Sequence, residues 1–113
     1  MVDNCQWLQQ WYQRQCDGVW EHDHGITVES LDNPGWRVRI DLVGTDLDVR
    51  CADQVLREEG RPPGPHNNNL GSSEWMRCEL RSKVFSGAGD ACALNRIIAC
   101  FRDWASATAG LVE

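Results

Sequence analysis

What this chain lacks narrows its function before any motif is considered. No run of apolar residues is long enough to span a bilayer, so no membrane partner is expected. The opening residues, MVDNCQWLQQ, lack the basic start, apolar stretch and small-residue cleavage site of a signal peptide, so a cytoplasmic location is expected. Basic residues are in deficit, 11 against 17 acidic, for a net charge of −6. That leaves no basic face for nucleic acid, though it suits a basic protein partner. The six cysteines, at 5, 16, 51, 78, 92 and 100, include no CxxC pair, which argues against a zinc ribbon or a redox dithiol. Without an export signal they are read as reduced thiols, most of them small buried hydrophobes, rather than as three disulfides. No cofactor and no metal is expected.

What the chain does have is tryptophan. Four of its six tryptophans fall between Trp7 and Trp36. Each needs roughly 200 Å² of matching cover and a partner for its indole N–H, so their density means that one specific surface is being built. With 113 residues, 42% hydrophobic and 25% charged, the chain has the size and composition of one globular domain over residues 1–113.

The first element expected is a helix over residues 4–16. Asp3 is a good N-cap, Gln6 completes a capping box, and Val2 with Trp7 would form a hydrophobic staple. Cys5, Leu8, Tyr12 and Cys16 make an apolar stripe that Trp7 and Trp11 widen. Gln15 alone falls among the apolar positions, as a rim residue or as a buried amide that must find partners. Gly18 suits a left-handed residue just past the helix end. The period then changes to two. Ile26, Val28 and Ser30 alternate with Thr27, Glu29 and Leu31, Asn33-Pro34-Gly35 is turn chemistry with Gly35 supplying a positive φ, and Trp36, Val38, Ile40 and Leu42 share one face of a returning strand.

Further along, Gly44-Thr45-Asp46 turns the chain, residues 47–51 are expected as a short strand, and residues 53–59 as a helical turn. Residues 60–73, GRPPGPHNNNLGSS, are expected as a flexible surface loop. Trp75, Arg77 and Glu79 then alternate with Met76, Cys78 and Leu80, a turn at Arg81-Ser82-Lys83 leads to a short strand at Val84-Phe85, and Ser86-Gly87-Ala88-Gly89 is expected as a flexible joint. Asp90 would cap a last helix with Leu94, Ile97, Ile98, Cys100, Phe101, Trp104 and Ala105 on its apolar stripe. The expected fold class is α+β, with the N-terminal and C-terminal helices packed on one face of an antiparallel β-meander.

Catalytic motifs are weak. Glu21-His22-Asp23-His24 groups two imidazoles with two carboxylates, and His22 and His24 would point the same way in an extended segment. A metal needs three or four convergent ligands, however, and His22 suits a hydrogen-bonded place at the corner equally well. Cys51 and Arg57 have the C-x5-R spacing of cysteine phosphatases, but Leu, Val and Asp fill what must be a glycine-rich oxyanion loop. The glycines after Ser86 lack the lysine of a P-loop. No catalytic residue is assigned, and the chain is expected not to be an enzyme.

The segments WLQQWYQRQCDGVWEH and GITVESLDNPGWRVRIDL resemble the bacterial immunity protein 53 family. Trp75-Met76-Arg77-Cys78, the segment FSGAG and the helix from Leu94 to Trp104 fit its second half more loosely. The resemblance departs at Val19, where the family pattern has an acidic residue, and near His24, where it has an aromatic. It implies a small cytoplasmic antitoxin that neutralises a cognate polymorphic toxin by tight binding, with a basic nuclease-type domain as one fitting partner. The expected partner-binding residues are Asp17, Trp20, Glu21, His22, Asp23, His24, Asp32, Trp36, Asp46 and Asp48. Two other readings stay open: a small metal- or thiol-dependent enzyme, and an interaction module with no toxin. The oligomeric state is open.

Overall fold

A computed structural model describes residues 2–32, 34–61 and 74–110. Helix α1 spans Asn4–Gln15 and opens as its capping box dictates, with the Gln6 amide donating to Asp3 Oδ1 at 2.7 Å and the Asp3 amide to Gln6 Oε1 at 3.4 Å. Its core face is set by Trp7, Leu8 and Trp11. Cys5 and Tyr12, expected on the buried stripe, stand exposed at its margin. Gly18 has a φ of +93° as expected, although the helix has already ended at Cys16. A single helical turn, α2, follows at Trp20–Asp23. This turn replaces the extended segment that would have aligned His22 with His24.

Five strands form one antiparallel sheet: β1 (Ile26–Leu31), β2 (Gly35–Asp41), β3 (Gln54–Glu59), β4 (Met76–Arg81) and β5 (Val84–Asp90), in the order β1-β2-β5-β4-β3. Each half runs as a meander, and β2 beside β5 joins the halves. The final helix, α3, spans Leu94–Gly110 and lies over β2, β5, β4 and β3, with α1 packed against it. Val38, Ile40, Met76, Cys78, Leu80 and Phe85 point into this layer and are buried, as are Ile97, Ile98 and Phe101 from α3. The alternation expected in β2 and β4, and the stripe expected in α3, are all present. None of the described helices is long and apolar enough to cross a membrane.

Five local expectations are overturned. Residues 48–50 form a 3₁₀ turn rather than a strand. Gln54–Glu59 is strand β3 rather than a helical turn, because pairing with β4 outweighs its local preference. The supposed joint after Ser86 is the middle of β5. There Gly87 and Gly89 face α3, where an added Cβ would come 2.4 Å from Ile97 Cγ2 and 2.6 Å from Ala93 Cβ. These glycines bring helix and strand together; they do not hinge them. Asp90 ends β5, and Ala93, whose carbonyl accepts the Ile97 amide, begins the helix. Gly35, likewise, is needed for close approach and not for a positive φ: a Cβ there would lie 2.4 Å from the Gly89 carbonyl oxygen. Asn33 and most of the loop expected at 60–73, residues 62–73, lie outside the described residues.

Candidate partner-binding site at the helix–hairpin corner

The chain leaves α1 and reverses into the hairpin through residues 17–24, and backbone hydrogen bonds hold that corner rigid. Asp17 Oδ1 accepts from the Val19 and Trp20 amides, each at 2.9 Å. Glu21 reaches back to accept from the Asp17 amide at 2.9 Å and the Gly18 amide at 2.8 Å. The Trp20 and Val19 N–H groups keep the Asp17 carboxyl below the ordinary carboxylate range. Glu21 is held low in the same way by its own amide and, against desolvation, by those of Asp17 and Gly18. Both stay charged because backbone donors favour the anion.

Trp20 is the keystone of this corner. It is only 5% exposed, and its indole donates to the Val43 carbonyl at 2.9 Å. Its ring stands edge-on to Trp11 at 6.3 Å and to Tyr12 at 5.8 Å, with His24 on another side at 6.2 Å. Expected among the partner-binding residues, Trp20 is instead buried in the free protein and positions its neighbours. Trp11 donates to Asp46 Oδ1 at 3.2 Å. Gln15 settles its position as a tethered amide, donating to the Trp11 carbonyl at 3.2 Å and accepting from the Asp46 amide at 3.3 Å. Asp48 accepts from the Gly44 amide at 2.7 Å and from Lys83 Nζ at 2.6 Å, and these two donors hold its carboxyl low. Asp46 and Asp48 thus brace the loop beneath Trp20.

Around this frame lies the surface itself. A shallow cleft of about 210 Å³ is lined by Asp17, Val19, Trp20, Asp23, His24 and Val43. Val19 is 67% exposed and Val43 41%. Asp23 and His22 are exposed, and neither side chain has a hydrogen bond or ion pair among the described residues. His24 Nδ1 lies 3.7 Å from Asp41 Oδ2, and Asp41 also accepts from the Gly25 amide at 3.1 Å. The cleft is therefore apolar at Val19 and Val43 and carries carboxylates at Asp17 and Asp23.

Two of the expected residues do not belong to this surface. Asp32 and Trp36 sit at the far end of the hairpin, roughly 20 Å along six strand residues. Trp36 is half-buried, with its indole N–H satisfied by the Ala91 carbonyl at 2.9 Å. Conversely, Tyr12, Val19 and Val43 stand exposed at this corner without being among the expected partner-binding residues, and Asp41, one of the carboxylates clustered in the first half of the sequence, faces His24 there. Tyr12 was hidden by its place on a helical apolar stripe, and Val19 and Val43 look like core residues in any linear pattern. Only the reversal at Gly18 could have signalled that they face outward.

Neither thiol nor metal chemistry is supported by a built site. Among the described residues no three His, Cys, Asp or Glu side chains converge. Cys51, Cys78 and Cys100 are buried, and Cys16 is half-buried. Burial pushes the Cys51 thiol up, and a side-chain hydrogen bond with Cys100, together with burial, pushes the Cys78 thiol up, so neither Cys51 nor Cys78 offers a reactive thiolate; the same hydrogen bond lowers Cys100, which is itself buried. Arg57 lies on β3 and pairs with Glu59 at 3.2 Å.

The geometry describes a small α+β domain in which the corner at residues 17–24 joins carboxylates to exposed valines. The chain belongs to the family described as Immunity protein 53, whose pattern matches residues 5–106. That membership places it among immunity proteins, the antitoxin class. No curated protein and no solved structure matches it.

Proposed function

We propose that this protein neutralises a cognate toxin by binding it through the corner formed by residues 17–24 and the adjoining loop at 43–48. Family membership supports the class of function. The observation that points to this surface is the exposure of Val19 and Val43 in one cleft with Asp17 and Asp23, with Tyr12 exposed nearby, on a frame whose hydrogen bonds are already made. Preorganised surfaces lose little entropy on binding, so their contacts are converted to affinity efficiently. Asp17, Glu21 and Asp23 present negative charge to a basic partner, and a nuclease-type toxin with a cationic substrate cleft fits that charge. Val19 and Val43 supply apolar contact at the centre, where water exclusion strengthens the surrounding charge pairs.

Asp23 is the residue to vary, because it is exposed and supports no backbone group. Asp23→Lys is expected to slow association with the cognate toxin about tenfold at low salt and by much less in 0.5 M NaCl, the pattern of a steering charge. Surface plasmon resonance at the two salt concentrations measures this. Unchanged association at both would remove the corner from the interface.

A further inference from the structure

The sheet has two edges, and they are built differently. At one edge, β3 carries a bulge between Val55 and Arg57 and three consecutive charges, Arg57, Glu58 and Glu59. Bulges and charges are the usual means of stopping a foreign strand from pairing. At the other edge, β1 has no such protection. Its six residues, ITVESL, pair with β2 in unbroken register, contain no proline and carry one charge. That charge, Glu29, is taken up by Arg37 at 3.5 Å.

The orientation of the free backbone groups follows from the ladder. The Asp41 amide donates to the Gly25 carbonyl at 3.0 Å, which makes Gly25 and Asp41 a hydrogen-bonded pair. Alternation along an antiparallel pair then turns the N–H and C=O groups of Thr27, Glu29 and Leu31 toward β2. Those of Ile26, Val28 and Ser30 point away from the sheet, and among the described residues no segment pairs with them.

The layer above this edge is also unfinished. Val38 and Ile40 on β2 are fully buried, yet Val28, their neighbour on the same face of β1, is 45% exposed. Between α1 and β1 runs a mainly apolar groove of about 420 Å³, lined by Leu8, Gln9, Tyr12, His24, Gly25 and Ile26. It opens at His24 onto the carboxylates of the corner. A strand added beside β1 would extend the sheet and set alternate side chains under α1, over Ile26 and Val28.

We infer that the free edge of β1 is a strand-addition site for the toxin, which contributes an extended segment with basic residues as a sixth strand beside Ile26, Val28 and Ser30. This rests on the reading of the chain as a toxin-binding immunity protein. Charge selects the occupant: the net charge of −6 and the corner carboxylates favour a basic segment and oppose a second copy of this chain. Main-chain hydrogen bonds supply affinity in this mode, while the groove and the carboxylates supply specificity.

The test is amide hydrogen exchange on the full chain, free and bound to an inactivated form of its cognate toxin. The Ile26, Val28 and Ser30 amides are expected to exchange at least tenfold more slowly in the complex, with those of Val55 and Glu58 unchanged. Val28→Pro removes an outward-facing donor and leaves the ladder to β2 intact, so it is expected to weaken the complex at least tenfold while the unfolding midpoint and circular dichroism hold. If that variant does not fold, the exchange measurement decides alone. A complex that forms with no protection at these three amides overturns strand addition and leaves the immunity reading standing. Protection in the free chain, accompanied by twice the monomer mass in light scattering, also overturns it, in favour of a second copy. Absence of any complex overturns both readings.

Discussion

Trp20 organises the corner from beneath its surface. Its ring fills the space between Trp11, Tyr12 and His24, and its indole ties the corner to Val43 in the loop after β2. The carboxylates around it are aimed by backbone amides that Trp20 holds in place. Trp20→Ala is expected to cost about 3–5 kcal/mol of stability, the usual loss for truncating a buried aromatic. Urea unfolding followed by circular dichroism checks this, and a cost under about 1 kcal/mol would show that the corner stands without its keystone. Legibility at this scale was uneven. The tryptophan, imidazoles and carboxylates of residues 17–24 are visible as a cluster in the sequence, but the exposure of Tyr12, Val19 and Val43 is not. Exposure depends on where other elements stop, which no local pattern encodes.

The segments that misled at the level of elements share one physical cause. Gln54–Glu59 and Val84–Asp90 are strands because other strands pair with them, across distances in sequence that composition does not reveal. By contrast, α1, the β1–β2 hairpin, β4 and α3 follow their own periodicity, and all were legible. The segment SGAG looked like a joint because glycine is the commonest sign of one. Its period of two is instead a small-residue track under α3, with Gly87 and Gly89 facing the helix and Ser86 and Ala88 facing away. Gly87→Ala would place a methyl group 2.4 Å from Ile97 Cγ2, on a side chain with no room to retreat. It is expected to destabilise the domain by about 1–3 kcal/mol, as overpacking does. The urea midpoint measures it, and a midpoint at or above that of the native chain would show that α3 does not seat on β5 as described.

At the scale of the whole molecule, the two-layer fold leaves one region incomplete. Helix α3 covers β2, β5, β4 and β3, and α1 packs beside it, which leaves β1 partly covered, with Ile26 against the core and Val28 exposed. The same region holds the rigid acidic corner, so charge, apolar surface and an open sheet edge lie side by side at one end of the domain. The fold class could be argued from the order of helices and strands. The coincidence of these three features could not, because it arises from the placement of α1 over a sheet whose strand order is not sequential. The sequence also placed Asp32 and Trp36 with the corner residues, and the length of the hairpin separates them.

The central claim is that this chain neutralises a toxin by direct binding. Growth of cells expressing the cognate toxin, with and without this chain, tests that most directly when paired with calorimetric titration of the two purified proteins. The account predicts restored growth and a one-to-one complex with an affinity on the order of nanomolar, as compact specific interfaces reach. Continued killing, together with no heat of binding, would contradict it.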